Sequence, residues 1–270
     1  MTVQGKRGWA RALVTGASAG IGTAYARELA AQGTDLVLVA RNVERLEKLA
    51  QELRTDHGVG VEVLAADLSD PVQLTHVEDR LSGSPRLDLV INNAGMGAFG
   101  AFHRNTVDDE LHVIDLNIDA LVRLTHAAAT AMTRHGAGTI LNVSSIMGLA
   151  PFPGSATYAA SKAFVTSFSE ALHEELRGTG VTVTAAVLGI VATEFMERAD
   201  AGHLDGMDVF ATLKPEFVAK VTLRAARKGK ALSVPGSSYG IVAALMGATP
   251  RAMLRRFNGI NARRKGGALA

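Results

Sequence analysis

Seven short runs dense in Val, Leu, Ile and Ala recur along the chain, at residues 11–15, 35–40, 61–65, 87–91, 139–143, 181–187 and 231–234. They are too short for stable helices, and most are apolar at successive positions, the pattern of strands covered on both faces. Between them lie longer stretches, 21–32, 43–55, 72–82, 107–134, 157–177 and 215–228, in which apolar residues return every three or four positions. That period buries one side of a helix and leaves the other in water. The punctuation agrees with the periodicity. Ser69-Asp70-Pro71 places a capping residue and a proline at a helix start, and Gly33, Gly178 and Gly229 sit just past expected helix ends.

Strands alternating with helices build a parallel sheet, because a parallel neighbour can be reached only by a crossover that lays a helix on one face. The expected fold class is therefore α/β: a single Rossmann-type doubly wound domain, with a seven-stranded, mostly parallel sheet and helices on both faces. Residues 1–236 are assigned to this domain and 237–270 to a basic helical extension of it. No repeat, low-complexity tract or linker divides the chain. The segment 194–213, rich in Met, Phe, Asp and Gly, follows a strand's C-terminal end. It is either a flap over a ligand or a plain surface connection.

Composition changes this picture little. The 270 residues are 47% hydrophobic and 20% charged, an ordinary globular mixture. The absence of cysteine excludes disulfides, thiolate nucleophiles and cysteine metal sites. The histidines are scattered, and His173-Glu174-Glu175 lacks the second histidine of a zinc helix, so no metal is assigned. The first residues lack the apolar core of a signal peptide, and no apolar stretch approaches the ~20 residues that span a bilayer. The expected compartment is the cytoplasm.

Charge is unevenly placed. The net charge is only +2, yet from Lys214 onward there are twelve Lys or Arg and one acid, Glu216. Such a tail is either simply solvated or attracts an anionic partner, among them an acyl carrier, a CoA thioester or a lipid surface. The apolar run 239–246, followed by Pro250, Arg251, Arg255 and Arg256, gives a helix that packs on its own domain, covers the substrate mouth or lies on a membrane. Nucleic acid is not among the expected partners.

The chemistry begins after the first strand, where Thr15-Gly16-Ala17-Ser18-Ala19-Gly20-Ile21-Gly22 leads straight into a helix. Glycines let a backbone approach pyrophosphate, and the free amides of a helix start favour its charge. The spacing T-G-x-x-x-G-x-G resembles the classical short-chain dehydrogenase/reductase family, and further matches run in order over residues 10–234. That resemblance implies a nucleotide site formed by Gly16, Ser18, Gly20, Ile21 and Gly22. It adds Asp67 and Leu68 after the third strand, Asn93 and Gly95 in Asn92-Asn93-Ala94-Gly95 after the fourth, and Thr193 after the sixth. The second strand ends Val39-Ala40-Arg41-Asn42, with no carboxylate to bind a ribose 2′-hydroxyl and with Arg41 able to pair with a 2′-phosphate. NADP(H) is the expected cofactor.

Tyr158-Ala159-Ala160-Ser161-Lys162 matches the Y-x-x-x-K of the same family, and residues four apart share a helix face. A Lys162 ammonium near the Tyr158 phenol favours the phenolate, whose ordinary pKa is about 10. Ser145, thirteen residues upstream, has the family's spacing for a serine that orients the substrate oxygen; Ser144 is the competing choice. Asn117 matches a fourth position, which in the family distorts a helix and holds a water leading to Lys162. The resemblance thus makes Asn117, Ser145, Tyr158 and Lys162 catalytic, with Tyr158 and Lys162 also touching the cofactor. One departure is Leu188-Gly189 in place of the family's Pro-Gly, which removes a fixed φ and leaves the loop path open.

The implied activity is hydride transfer between NADP(H) and a carbonyl or secondary alcohol. Met96, Phe99, Met147, Leu149, Phe152, Phe195 and Met196 follow strand ends or flank the catalytic segments, and they suggest a lipophilic or acyl substrate. The alternative is a non-catalytic NADP(H)-binding regulator or scaffold of the same fold. The family also implies a homodimer or homotetramer built on the helices that hold Asn117 and Tyr158.

Overall fold

A computed structural model of the chain describes residues 8–195 and 212–264. Seven strands, β1 (Arg11–Thr15), β2 (Asp35–Ala40), β3 (Val61–Ala65), β4 (Leu89–Asn92), β5 (Gly138–Ser145), β6 (Val181–Leu188) and β7 (Leu232–Ser233), form one sheet in the order β3-β2-β1-β4-β5-β6-β7. All six pairings are parallel, so the sheet is parallel throughout. The order reverses between β1 and β4, and in open α/β sheets ligands collect at the strand ends beside that reversal.

Helices α1 (Gly20–Ala30), α2 (Val43–His57), α3 (Pro71–Ser82), α4 (Val107–Ile114), α5 (Ala120–His135), α6 (Ala156–Glu175) and α7 (Pro215–Arg227) cross between the strands. One apolar cluster lies on each face of the sheet. The first joins Tyr25, Leu29, Leu46 and Leu223 to Val14 and Leu38; the second joins Leu74, Leu124 and Met132 to Leu13 and Val90. Tyr25 is fully buried, and its hydroxyl meets Thr222 Oγ1 at 2.8 Å, joining α1 to α7. Asp70 caps α3 by accepting from the amides of Val72 and Gln73, and Gly33, Gly178 and Gly229 have positive φ just beyond their helices.

The elements expected from the sequence appear within a few residues, with two differences. β3 is half exposed because it is an edge strand, and its Glu62 pairs with Arg80 of α3 at 2.9 Å. The stretch expected from periodicity as one helix over 107–134 is interrupted by a π-turn at Asp115–Asp119, around Asn117, where the resemblance implies a distortion. Apolar periodicity does not report such a turn, because the extra residue adds no polar break.

Between β4, β5 and the helices beneath them runs a buried polar ladder. Asn92 Nδ2 donates to Thr125 Oγ1 at 3.0 Å and to Asn142 Oδ1 at 2.9 Å, and Asn142 Nδ2 donates to Ser169 Oγ at 3.0 Å. It ties β4, β5, α5 and α6 together.

The chain continues into α8 (Ser237–Ala248) and α9 (Arg251–Arg264). Tyr239 of α8 is fully buried against Ile146 and Val187. Asn258 of α9 donates to the Pro151 carbonyl at 2.9 Å. Both helices therefore lie against segments that follow β5 and β6, at the C-terminal edge of the sheet. No helix of the described residues is long and apolar enough to cross a membrane.

Candidate active site

At the end of β1 the backbone turns through Gly16, with φ +65°, and enters α1 at Gly20. A methyl group on Gly16 would lie 2.9 Å from Asn93 Nδ2, and one on Gly22 would lie 2.1 Å from the Gly16 carbonyl oxygen. Only glycine fits this close crossing. Asn93 holds the turn shut: its Nδ2 donates to the Thr15 carbonyl at 2.9 Å, while Thr15 Oγ1 accepts from the amides of Asn93 and Ala94. The role of Asn93 as a clip on the glycine turn was not legible in the sequence, since the two segments lie 78 residues apart.

The N-cap of α1 is Ala19, and no side chain caps the first turn. By contrast Asn42, Asp70 and Thr106 cap α2, α3 and α4 with their own oxygens. The start of α1 thus keeps amides and dipole available to an anion, which fits the pyrophosphate of a dinucleotide. A methyl group on Gly20 would come within 3.0 Å of Thr193 Cγ2, so the loop after β6 closes over the same turn. A cleft lined by Gly20, Val191, Ala192, Thr193 and Thr212 opens there. A second concavity, around Trp9, Thr139 and Gly180, lies at the opposite edge of the sheet and contains none of the expected site residues.

Arg41 directly follows β2 with its side chain 78% exposed, and its Nη1 lies 3.6 Å from Asp67 Oδ2. Burial works to raise the Asp67 carboxyl, but Ser69 and the Arg41 cation outweigh it and hold it below its usual range. Asp67 also accepts from the Ser69 hydroxyl at 2.6 Å. Leu68 is buried beside it, and Ser18 and Ile21 are half-buried in the turn.

The four residues expected to be catalytic come together at the C-terminal ends of β4 and β5. Ser145 closes β5, Tyr158 and Lys162 lie in the first two turns of α6, and Asn117 sits in the π-turn; all four are buried. The Tyr158 phenol lies beside the Ser145 side chain, whose oxygen accepts from the Met147 amide at 3.2 Å. Ser144 points elsewhere, bonding the Lys162 carbonyl and Thr166 Oγ1, both at 2.7 Å. Ser144 is thus engaged with α6, and Ser145 is the serine left at the end of β5 beside Tyr158.

Lys162 Nζ donates to the Val143 carbonyl at 3.0 Å and lies 5.8 Å from the centre of the Tyr158 ring. Burial dominates both groups: it lowers the Lys162 ammonium to about 8 and raises the Tyr158 phenol to about 12, although the neighbouring Ser145 works to lower the latter. The spacing alone suggested a lysine pulling the phenol down, and in the protein by itself desolvation wins.

Asn117 is bonded through both ends of its amide. Oδ1 accepts from the Met96 amide at 2.9 Å, while Nδ2 donates to the Met96 carbonyl at 2.8 Å and to Ser161 Oγ at 3.0 Å. The π-turn supplies the displacement that brings it there. A methyl group on Gly95 would lie 3.1 Å from Asn117 Oδ1 and 3.3 Å from Lys162 Nζ, so glycine keeps open the gap between these two polar groups.

Two aromatic rings flank Tyr158: Phe99 at 5.5 Å and Phe195 at 5.8 Å between ring centres. Met147 is buried and Leu149 packs under α8, whereas Met96 and Phe152 are half-buried. Met196 and residues 196–211 of the expected flap lie outside the described residues. The loop after β6 takes its path from a residue the motifs did not include. A methyl group on Gly189 would lie 2.3 Å from the Tyr239 ring, and the Tyr239 hydroxyl accepts from the Ile190 amide at 3.1 Å. Leu188, in the place of the family proline, is buried in the core. Among the described residues no group of three His, Asp or Glu is placed to hold a metal.

The short chain dehydrogenase model matches residues 10–203. The chain belongs to the short-chain dehydrogenase family. Members of this family are oxidoreductases acting on alcohol and carbonyl groups, and this chain is one of them. Sulfoacetaldehyde reductase of Chromohalobacter salexigens is 42% identical over 185 residues, 67% of this chain and 72% of the relative. A short-chain dehydrogenase from Sphingobium yanoikuyae, solved in complex with NADPH, is 36% identical with a TM-score of 0.79, covering 90% of this chain and 97% of its own. The bulky-bulky ketone specific alcohol dehydrogenase of Comamonas testosteroni is 30% identical with a TM-score of 0.75, covering 96% and 93%.

Proposed function

We propose that this short-chain dehydrogenase uses NADP(H) to interconvert a lipophilic ketone or aldehyde and its alcohol, with Tyr158 as the proton-transfer residue. The observation that carries the reading is the buried cluster of Tyr158, Ser145 and Lys162 at the strand ends beside the glycine turn. A binding-only scaffold gains nothing from burying a lysine and a phenol together, since each loses hydration. Arg41, with no acid at the end of β2, supports a 2′-phosphate, as does the NADPH held by the Sphingobium neighbour.

Gly16, Ser18, Gly20, Ile21 and Gly22 would hold the pyrophosphate, Arg41 the 2′-phosphate, Asp67, Leu68, Asn93 and Gly95 the adenosine side, and Thr193 the nicotinamide side. When bound, the cofactor supplies or accepts the hydride. The chain handles the proton. Tyr158 Oη holds it at the substrate oxygen, and Ser145 Oγ donates a hydrogen bond that aims this oxygen at the phenol. The Lys162 charge stabilises the phenolate left behind, and Asn117 fixes Met96 and Ser161 around it. Phe99 and Phe195 beside the phenol favour an apolar group next to the carbonyl.

The exposed Val107, Leu111 and Ile114 of α4 and the stacked Phe164 and Phe168 of α6 support pairing with a second copy through these helices. The test of function is NADPH oxidation with a panel of ketones, aldehydes and acyl thioesters. Tyr158→Phe is expected to lower kcat by about 10² to 10⁴-fold while NADPH still binds. Wild-type protein that binds NADPH yet turns over none of the panel would favour the scaffold reading instead.

A further inference from the structure

The last two helices carry apolar side chains that the rest of the described molecule does not cover. On α9, Met253, Phe257 and Ile260 recur at helical spacing and are 62, 63 and 36% exposed; on α8, Ile241 and Leu245 are 62 and 61% exposed. Leu254 and Asn258 are half-buried on the inward side of α9, which the bond from Asn258 to Pro151 fixes. At 3.6 residues per turn, the stripe of Met253, Phe257 and Ile260 lies roughly 110° round the helix from these two, with Arg256 and Arg263 next beyond it. The exposed apolar strip is thus edged by cations on its solvent side.

The charge along these helices has one sign. Residues 217–270 contain no Asp or Glu, and the sequence after Arg263 continues with Arg264 and Lys265. No carboxylate of the described residues pairs with Arg251, Arg255, Arg256 or Arg263. A second copy docking here through the same face would set Arg256 and Arg263 against their own equivalents. An acidic carrier protein would satisfy the arginines and leave the five apolar side chains in water. An anionic bilayer satisfies both, with apolar side chains at the acyl boundary and cations on the phosphates.

We propose that α8 and α9 dock the protein on an anionic lipid bilayer, inserting Ile241, Leu245, Met253, Phe257 and Ile260 beneath the headgroups. The position of these helices gives docking a use. Tyr239 of α8 holds the loop that leads to Thr193, and Asn258 of α9 touches the segment that follows Ser145. A docked molecule presents the mouth of the site to the acyl layer, where a lipophilic carbonyl would partition; this second step rests on the function proposed above.

The test is flotation of the full chain with vesicles of phosphatidylcholine, alone or with one-third phosphatidylglycerol, without cofactor or substrate. The expected result is binding to the anionic vesicles only, weakened about tenfold or more by high salt. The variants Met253→Ser/Phe257→Ser/Ile260→Ser and Arg256→Glu/Arg263→Glu should each lose about tenfold or more. Both should keep the wild-type melting temperature, elution volume and turnover of a water-soluble ketone. Absence of flotation, binding undiminished in both variants, or capture on an acidic carrier protein without flotation would overturn the proposal. So would a shift of the serine variant to a smaller assembly, which would place the strip between subunits. Flotation needs no turnover, so its failure leaves the oxidoreductase reading standing, and a failed activity panel leaves the docking face standing.

Discussion

Gly189 and Tyr239 offer a sharp test of how the C-terminal helices set the path of the active-site loop. A methyl group at Gly189 would sit 2.3 Å from the ring of a fully buried tyrosine, well inside van der Waals contact. Gly189→Ala must therefore push the ring aside, and overpacking of this kind costs about 1–3 kcal/mol. Removing the ring by Tyr239→Ala should cost about 3–5 kcal/mol, the loss expected for a large buried aromatic, because it also strips the Ile190 amide of its acceptor. Once the ring is gone the added methyl has room. The double variant should then be no less stable than Tyr239→Ala alone, giving a coupling of about 1–3 kcal/mol of opposite sign to the single cost. Urea unfolding of the four proteins measures the cycle. Additive single costs, within about 0.5 kcal/mol, would show that ring and loop do not meet as described. The same Gly189→Ala change should weaken NADPH binding, because Thr193 lies four residues on and closes over Gly20.

Two further outcomes follow from the charges of the site. With burial holding the Lys162 ammonium near 8 and the Tyr158 phenol near 12, the phenol keeps its proton across the working range while the lysine loses its charge above about 8. At saturating NADPH, kcat/KM for carbonyl reduction should be level below that point and fall about tenfold per pH unit above it; a level profile to pH 10 would remove Lys162 from the proton step. Arg41→Ala should raise the Kd for NADPH by about 10 to 100-fold, the worth of a charge-assisted hydrogen bond of about 1.5–3 kcal/mol, and leave the Kd for NADH nearly unchanged. Fluorescence titration with both nucleotides checks it, and equal losses for the two would place Arg41 away from the 2′-phosphate.

Much of the fold could be read from local pattern. Each strand is a compact apolar run and each crossover helix has a regular buried stripe, so hydrophobic period was enough to locate both. The glycine turn and the Tyr158–Lys162 pair were equally visible, since their chemistry is set by spacing within one short segment. What the pattern could not show depended on distant partners. The Asn93 clip needs β1 beside β4, and the engagement of Ser144 with Lys162 and Thr166 needs the direction of its side chain at the end of β5, whereas Ser145 was already preferred on spacing. Tyr239 read only as part of an apolar run, yet its hydroxyl accounts for the path of a loop that lacks the family proline. The pH behaviour of Lys162 and Tyr158 was also hidden, because it is governed by depth of burial rather than by their four-residue separation.

The polar ladder of Asn92, Thr125, Asn142 and Ser169 bears on how the molecule comes apart. Its members are buried, so sliding β4 past β5 by one residue would strand several amide and hydroxyl groups without partners, at a cost of about 1–3 kcal/mol each. The two strands and two helices it joins supply Ser145, Tyr158 and Lys162 directly, and Asn117 from the turn that runs into α5. These elements are bound to open as one cooperative unit, so partial unfolding that frays the β3 edge leaves the catalytic geometry whole. Loss of activity on heating should therefore track the breakdown of this block rather than the first loss of secondary structure.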